Sequence, residues 1–184
     1  MFKFITSILF GFFLSSFSDF AVAEEKENKA LHKAHISIVK DHRTVRHIGV
    51  KSAAELDTKD TLFFDVREKK EFDVSHIVNS EHVDPELSAS DFMAQFDQDW
   101  TGKTLVFYCS VGRRSSILAE KVQAELKAAG AKEVYNLKEG IFAWHNAGFP
   151  LDNAKGPTEK VHPYNAFWGR MVNRKDLVAY KATN

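Results

Sequence analysis

The sequence has a single cysteine among its 184 residues, which excludes an internal disulfide. It also lacks an excess of charge of either sign, because 25 Lys and Arg residues balance 25 Asp and Glu residues. Without a basic excess, nucleic acid is not an expected partner. Long hydrophobic runs are lacking too. The longest, from Phe4 to Phe17, is shorter than the ~20 residues of a spanning helix, so no stable membrane insertion is expected.

The first 23 residues have the pattern of a secretory signal peptide. Lys3 gives the start a positive charge, the apolar run follows, and Ala21 and Ala23 have the small-x-small spacing of a cleavage site. The sequence therefore predicts export, and a periplasmic location if the source is Gram-negative. An uncleaved N-terminal membrane anchor is the alternative. In an oxidising compartment we expect the lone thiol either to be buried as a small apolar side chain or to take part in the function of the protein.

The rest of the chain alternates predicted strands with predicted helices. Apolar runs at 61–66, 104–108 and 134–137 are typical of buried strands. Apolar residues four apart in 114–129 indicate an amphipathic helix that ends at Gly130. Further helices are expected from Ser52, where a capping box begins, and over 68–72, 85–96 and 140–147. This alternation predicts an α/β fold, with a mostly parallel central sheet and helices on both faces.

One loop in this pattern has the composition of a reactive site. Cys109 directly follows a predicted buried strand, and the amphipathic helix begins a few residues later. Ligands bind beyond the carboxyl ends of strands in such sheets. The N-terminal end of the helix, together with Arg113 and Arg114, should favour the thiolate form of Cys109. Gly112 allows the backbone to curl so that several N–H groups face an anion.

Four segments, in order along residues 46–151, resemble the rhodanese-like sulfurtransferase family. Ser75, Ser80 and Glu139 stand where the family usually has small residues, positions that we expect to shape turns. The matching residues are Phe64 to Arg67 with Glu71 and Phe72, His76 and Ile77 with Asn79 and Ser80, Tyr108 to Ser115, and Asn136 to Gly140 with Trp144, Gly148 and Pro150. The resemblance implies a three-layer rhodanese-like domain at 46–151, between a lead-in at 24–45 and a C-terminal tail at 152–184.

The resemblance also implies a function, that of a sulfurtransferase without a cofactor. Cys109 would be the nucleophile and would carry sulfur as a persulfide, taken from a donor such as thiosulfate and passed to a thiol, cyanide or a protein. The substrate-binding residues would be the rest of the loop, Ser110, Val111, Gly112, Arg113, Arg114 and Ser115, with Arg114 favoured over Arg113 as the arginine that lines the pocket. Asp65 and Arg67 would support the loop.

Several alternatives remain open from the sequence. A cysteine phosphatase needs five residues between its Cys and Arg, whereas four separate Cys109 from Arg114, which disfavours that activity. A rhodanese-like binding module without turnover, or a persulfide carrier, would have the same loop. The eight histidines show no convergent spacing, and no metal is expected. The aromatic residues of the tail, among them Tyr164 and Trp168, either pack on the domain surface or cover the mouth of the site.

Overall fold

The computed structural model describes residues 28–182, so the predicted signal peptide at 1–23 lies outside the described part of the chain. Eight strands are present there, and none of the described helices is long and apolar enough to cross a membrane. Numbered along the chain, the strands are β1 (Arg46–Ile48), β2 (Thr61–Asp65), β3 (His76–Ile77), β4 (Glu81–His82), β5 (Thr104–Tyr108), β6 (Glu133–Leu137), β7 (Leu151–Asn153) and β8 (Gly156–Thr158).

Five of these strands form the central sheet in the order β1-β6-β5-β2-β4, and every pair in it is parallel. The α-helices are α1 (Lys29–Asp41), α2 (Val50–Ala54), α3 (Lys69–Val74), α4 (Ala89–Gln95), α5 (Arg113–Ala128), α6 (Gly140–Asn146) and α7 (Ala166–Gly169). Buried residues of α1, α2 and α6 pack on one face of the sheet, and those of α4 and α5 pack on the other. The predicted α/β fold is therefore confirmed.

The centre of the sheet places the cysteine loop. All five residues of β5 are buried, because β2 and β6 flank this strand and helices cover both of its faces. Phe107 stacks on Phe64 of β2, with ring centroids 5.1 Å apart, in the core beneath α4 and α5. The loop that follows β5 thus starts from one of the most enclosed positions of the fold.

The N-terminal region contains a helix in the lead-in, and its second helix begins earlier than the sequence predicts. The lead-in contains α1, a helix of 13 residues, whose first turn is capped by the Asn28 side chain accepting from the Leu31 N–H. Leu31 and Ile38, seven residues apart, bury one stripe of this helix in the core. The next helix, α2, begins at Val50 rather than at Ser52, because the chain leaves the sheet after Ile48.

The tail forms further structure against the domain. β7 pairs antiparallel with β3 and β8, and a parallel bridge joins Val161 to Val178. The tail also contains the short helix α7 and a 3₁₀ turn at Lys175–Leu177. Val161 and Val172 are fully buried, so apolar contacts attach this segment firmly to the domain.

Candidate active site

Cys109 lies in a tight loop between β5 and α5. Its side chain belongs to a pocket of about 180 Å³, although the residue is only 1% exposed. The Gly112 N–H donates to the Cys109 Sγ over 3.2 Å. Gly112 has φ +94°, and a Cβ there would lie 3.0 Å from Asn136 Nδ2, so both backbone conformation and space favour glycine.

The surroundings of Cys109 favour the thiolate. Burial on its own would raise the pKa of this thiol, but the charge of Arg114 and hydrogen bonds from Ser115 and the Val111 N–H outweigh it. The net result is a lowered pKa. Since the thiolate is the nucleophilic form of cysteine, the loop activates the sulfur while keeping it enclosed.

Arg114 is held by a buried carboxylate that the sequence analysis assigned no role. Its Nη1 and Nη2 donate to the two oxygens of Glu71 over 2.8 and 3.1 Å, and Nη2 also donates to Ser110 Oγ. Glu71 itself is fully buried, and its pKa is lowered because the Arg114 hydrogen bonds and charge outweigh burial, which alone would raise it. The clue in the sequence was the position of Glu71 in a segment similar to the family.

Both arginines of the loop line the pocket, in different ways. The guanidinium of Arg114 is committed to Glu71 and Ser110, as described above. Arg113 is exposed at the pocket and, within residues 28–182, has no ion-pair partner. Arg114 therefore acts on the charge of Cys109, while Arg113 is the more accessible cation for an incoming anion.

The remaining sequence-predicted residues lie in and around the same loop. Ser110 and Val111 line the pocket, whereas Gly112 and Ser115 contact Cys109 from the helix side. The Ser115 hydroxyl donates to Asn136 Oδ1 over 2.6 Å, which ties the first turn of α5 to β6. Asn136, also fully buried, is a further residue that holds the loop in place.

Asp65 and Arg67 lie behind the pocket rather than in it. Both are fully buried, and Arg67 Nη2 donates to Asp65 Oδ2 over 2.6 Å and to the Ser75 carbonyl over 2.5 Å. Asp65 is the β2 partner of Tyr108, the residue before the cysteine. The pair thus fixes the end of β2 beside the start of the loop.

Helix α6 supports the loop from the other side. The N–H groups of Ile141 and Phe142 donate to the carbonyls of Cys109 and Ser110 over 2.9 and 3.2 Å. Gly140 makes this approach possible, because a Cβ there would lie 2.3 Å from the Cys109 carbonyl oxygen. Glu139, which stands where the family usually has a small residue, adopts φ 62°, a left-handed conformation that is unfavourable for a side-chain-bearing residue.

Two aromatic residues of the tail complete the pocket. Tyr164 and Trp168 line it together with the loop residues, and the Arg114 guanidinium lies 5.1 Å from the centre of the Tyr164 ring. The sequence left two placements open for the tail aromatics, on the domain surface or at the mouth of the site. Tyr164 and Trp168 lie at the mouth of the site. Over residues 28–182, no group of three or more His, Cys, Asp or Glu side chains is placed to hold a metal ion.

Comparison with known proteins identifies the domain. The family model for a rhodanese-like domain matches residues 51–147, just over half of the chain. A tRNA uridine(34) hydroxylase of Photorhabdus laumondii is 34% identical over 91 residues, which cover 48% of this chain and 25% of the relative. The corresponding protein of Cronobacter sakazakii is 31% identical over 97 residues, covering 50% of this chain and 26% of the relative. The chain thus spans about a quarter of the length of these curated relatives.

Solved structures are similar at lower sequence identity. A rhodanese-related protein of Thermoplasma volcanium is 24% identical, with a TM-score of 0.45 over 58% of this chain and 96% of that one. A thiosulfate sulfurtransferase of Pseudomonas aeruginosa is 18% identical, with a TM-score of 0.48 over 79% of this chain and 27% of that one. The family match spans more than half of the sequence and includes the whole loop from Cys109 to Ser115, and on that ground the chain belongs to the family of rhodanese-like domains.

Proposed function

We propose that this protein is a sulfurtransferase that carries sulfur as a persulfide on Cys109. The observation that supports the proposal most strongly is the position of Cys109, whose Sγ accepts from the Gly112 N–H and lies in one pocket with Arg114, an arrangement that lowers its pKa. A structural cysteine in an apolar core would have a raised pKa and would stay protonated. The arrangement around Cys109 instead favours a nucleophile.

The reaction moves one sulfur atom in two transfers, first from the donor to Cys109 and then from Cys109 to the acceptor. In the first, the Cys109 thiolate attacks the outer sulfur of a donor such as thiosulfate. A new S–S bond forms to Cys109 while the S–S bond of thiosulfate breaks, and sulfite leaves with the bonding electron pair. In the second, a thiol, cyanide or a protein nucleophile attacks the terminal sulfur, and the Cys109 thiolate is the leaving group.

Each loop group has a defined part in this scheme. Arg114 stabilises the thiolate before the attack and again when it leaves, and the N–H groups of Gly112, Ser115 and Val111 surround the same negative charge. Arg113, exposed at the pocket, would attract the anionic donor. If the N-terminal segment directs export, as the sequence predicts, the transfer takes place outside the cytoplasm.

The test is intact mass spectrometry of the full chain before and after incubation with thiosulfate or polysulfide, beside Cys109→Ala. We expect the wild type to gain the mass of one sulfur atom, which cyanide or a thiol then removes, and the variant to gain none. If the wild type, with its thiol shown to be free, takes up no sulfur from either donor, the proposal is wrong. A rhodanese-like binding module without turnover would then be the better description.

A further inference from the structure

A histidine outside the matched domain contacts an amide that holds the cysteine loop. His47 lies on β1, whereas the family match begins at residue 51, and its partner on β6 is Asn136. Asn136 Nδ2 and His47 Nδ1 are 3.1 Å apart. An amide NH₂ group only donates, so His47 Nδ1 accepts and the hydrogen of the neutral ring is on Nε2. Within residues 28–182, that buried Nε2 atom has no hydrogen-bond partner.

The bond to His47 determines which way the Asn136 amide faces. With Nδ2 held by His47, Oδ1 faces the first turn of α5 and accepts from the Ser115 hydroxyl over 2.6 Å. The same hydroxyl is also within hydrogen-bonding reach of the Cys109 sulfur. A hydroxyl has a single hydrogen, so while it donates to Asn136 it does not donate to the thiolate.

We propose that His47 is a positioning residue of the cysteine site, which acts through Asn136 to direct the Ser115 hydroxyl away from Cys109. The inference rests on the proposed sulfur transfer through Cys109. A thiolate that accepts fewer hydrogen bonds keeps a higher pKa, and the nucleophilicity of thiolates falls as their pKa falls. By withholding one hydrogen bond, His47 favours the attack of Cys109 on the sulfur donor.

Loss of the acceptor on His47 should turn the amide over. In His47→Phe, Asn136 Nδ2 would remain as a buried donor without a partner, which is less favourable than a buried carbonyl without one. After the amide turns over, Nδ2 donates to the Ser115 oxygen and the hydroxyl hydrogen is free for the thiolate. The substitution changes no charge near pH 7, because burial, with the charge of His42 acting in the same direction, lowers the pKa of His47.

The test is the pH dependence of Cys109 alkylation by iodoacetamide in the full chain. For His47→Phe, which keeps a ring in the place that packs against His35, the midpoint should lie about one pH unit below that of wild type. The thiolate gains a hydrogen bond in this variant. Above both midpoints, alkylation should be about threefold slower than in wild type, because the thiolate with the lower pKa is the weaker nucleophile. His47→Leu should behave in the same way.

Two further variants separate this effect from a general loosening of β1. His47→Gln offers a carbonyl that can accept from Asn136, and it should keep the midpoint of wild type. Ile48→Ala removes apolar packing from the next position of the same strand, which pairs with Leu137, and leaves the His47–Asn136 bond in place. Its midpoint should also stay at that of wild type.

Ser115→Ala identifies the hydroxyl as the group that acts on the sulfur. When it is combined with His47→Phe, the midpoint should equal that of Ser115→Ala alone. A midpoint for His47→Phe at or above that of wild type, an equal shift in Ile48→Ala, or a shift that survives Ser115→Ala would each overturn this inference. Sulfur uptake by wild type from thiosulfate or polysulfide would in those cases leave the proposed function intact. Failure of wild type to take up sulfur would instead overturn both.

Discussion

Two neighbouring arginines of the cysteine loop have different surroundings although the sequence presents them as a pair. Arg114 is half-buried, paired with Glu71 and named among the causes of the lowered pKa of Cys109. Arg113 is exposed and is not among those causes. Variants of the two arginines can therefore separate the effect of Arg114 on the pKa of Cys109 from a general effect of positive charge at the pocket.

Replacing Arg114 should therefore raise the pKa of Cys109. In Arg114→Met the opposing charge is lost and Glu71 is left nearby as an unpaired carboxylate, so we expect the pKa to rise by at least about one pH unit. The rate of alkylation by iodoacetamide, followed against pH, measures the thiolate fraction, and its midpoint should move to higher pH. Arg114→Lys, which keeps a charge, should show a smaller change.

Arg113→Met is the control for this experiment. It removes the same charge from the same pocket but leaves the Arg114–Glu71 pair in place. Its alkylation midpoint should stay close to that of wild type. Equal midpoints for Arg113→Met and Arg114→Met would contradict the assignment of Arg114 as the group that activates Cys109.

At the scale of elements, the loop is held between the starts of two helices. Helix α5 continues directly from the loop, and α6 approaches closely enough for two of its N–H groups to bond the loop carbonyls. Gly140 stands at the contact between α6 and the loop, so it couples the position of α6 to the position of Cys109.

Gly140→Ala should disrupt this contact. The new Cβ would overlap the Cys109 carbonyl oxygen, so we expect a loss of about 3 kcal/mol or more in the free energy of unfolding, together with loss of sulfur uptake. Gly148→Ala is a matched control, because Gly148 also has a positive φ, 75°, but has nothing within 4 Å of an added Cβ. That variant should cost about 1 kcal/mol and retain sulfur uptake. Urea denaturation and mass spectrometry measure the two effects.

The same elements show what the sequence could and could not predict. Strands β2 and β5 and helix α5 agree with their predictions to within a residue at each end, because local apolar patterns determine them. The burial of α1 and of the tail does not follow from local patterns, since it depends on partners distant in the sequence. The same distinction applies to the site. Its loop residues are consecutive and could be predicted from the sequence, whereas the Arg114–Glu71 contact joins positions 43 residues apart and could not.

At the scale of the whole molecule, two buried histidines lie where segments outside the matched domain are attached. His35 is on α1, with its ring centroid 5.1 Å from that of His47, and His145 Nε2 donates to the Glu159 carbonyl over 2.9 Å. Burial lowers the pKa of each to about 4, with the charges of His47 and Arg174 acting in the same direction on His35 and His145 respectively. Both residues are therefore neutral in the folded protein near pH 7.

Acid should destabilise the fold through these histidines. Between pH 6.5 and about 4 the unfolded chain binds protons that the folded chain does not, so the free energy of unfolding falls as the pH falls. At pH 5 each histidine should cost about 2 kcal/mol relative to pH 7. Urea denaturation at a series of pH values measures how the free energy of unfolding depends on pH. His145→Gln should reduce this dependence by the contribution of one histidine. A slope equal to that of wild type in this variant would show that His145 is not the group responsible.

The near-complete burial of Cys109 has a consequence for the survival of the protein. Oxidation of a cysteine to sulfenic and higher acids follows both its thiolate character and its exposure. The lowered pKa of Cys109 increases its thiolate character, but the residue is only 1% exposed. The recess restricts which molecules reach the Sγ of Cys109 itself, whereas an acceptor, a protein thiol included, needs to reach only the outer sulfur of the persulfide. The only cysteine of the chain is thereby guarded against unwanted mixed disulfides without a second cysteine to protect it.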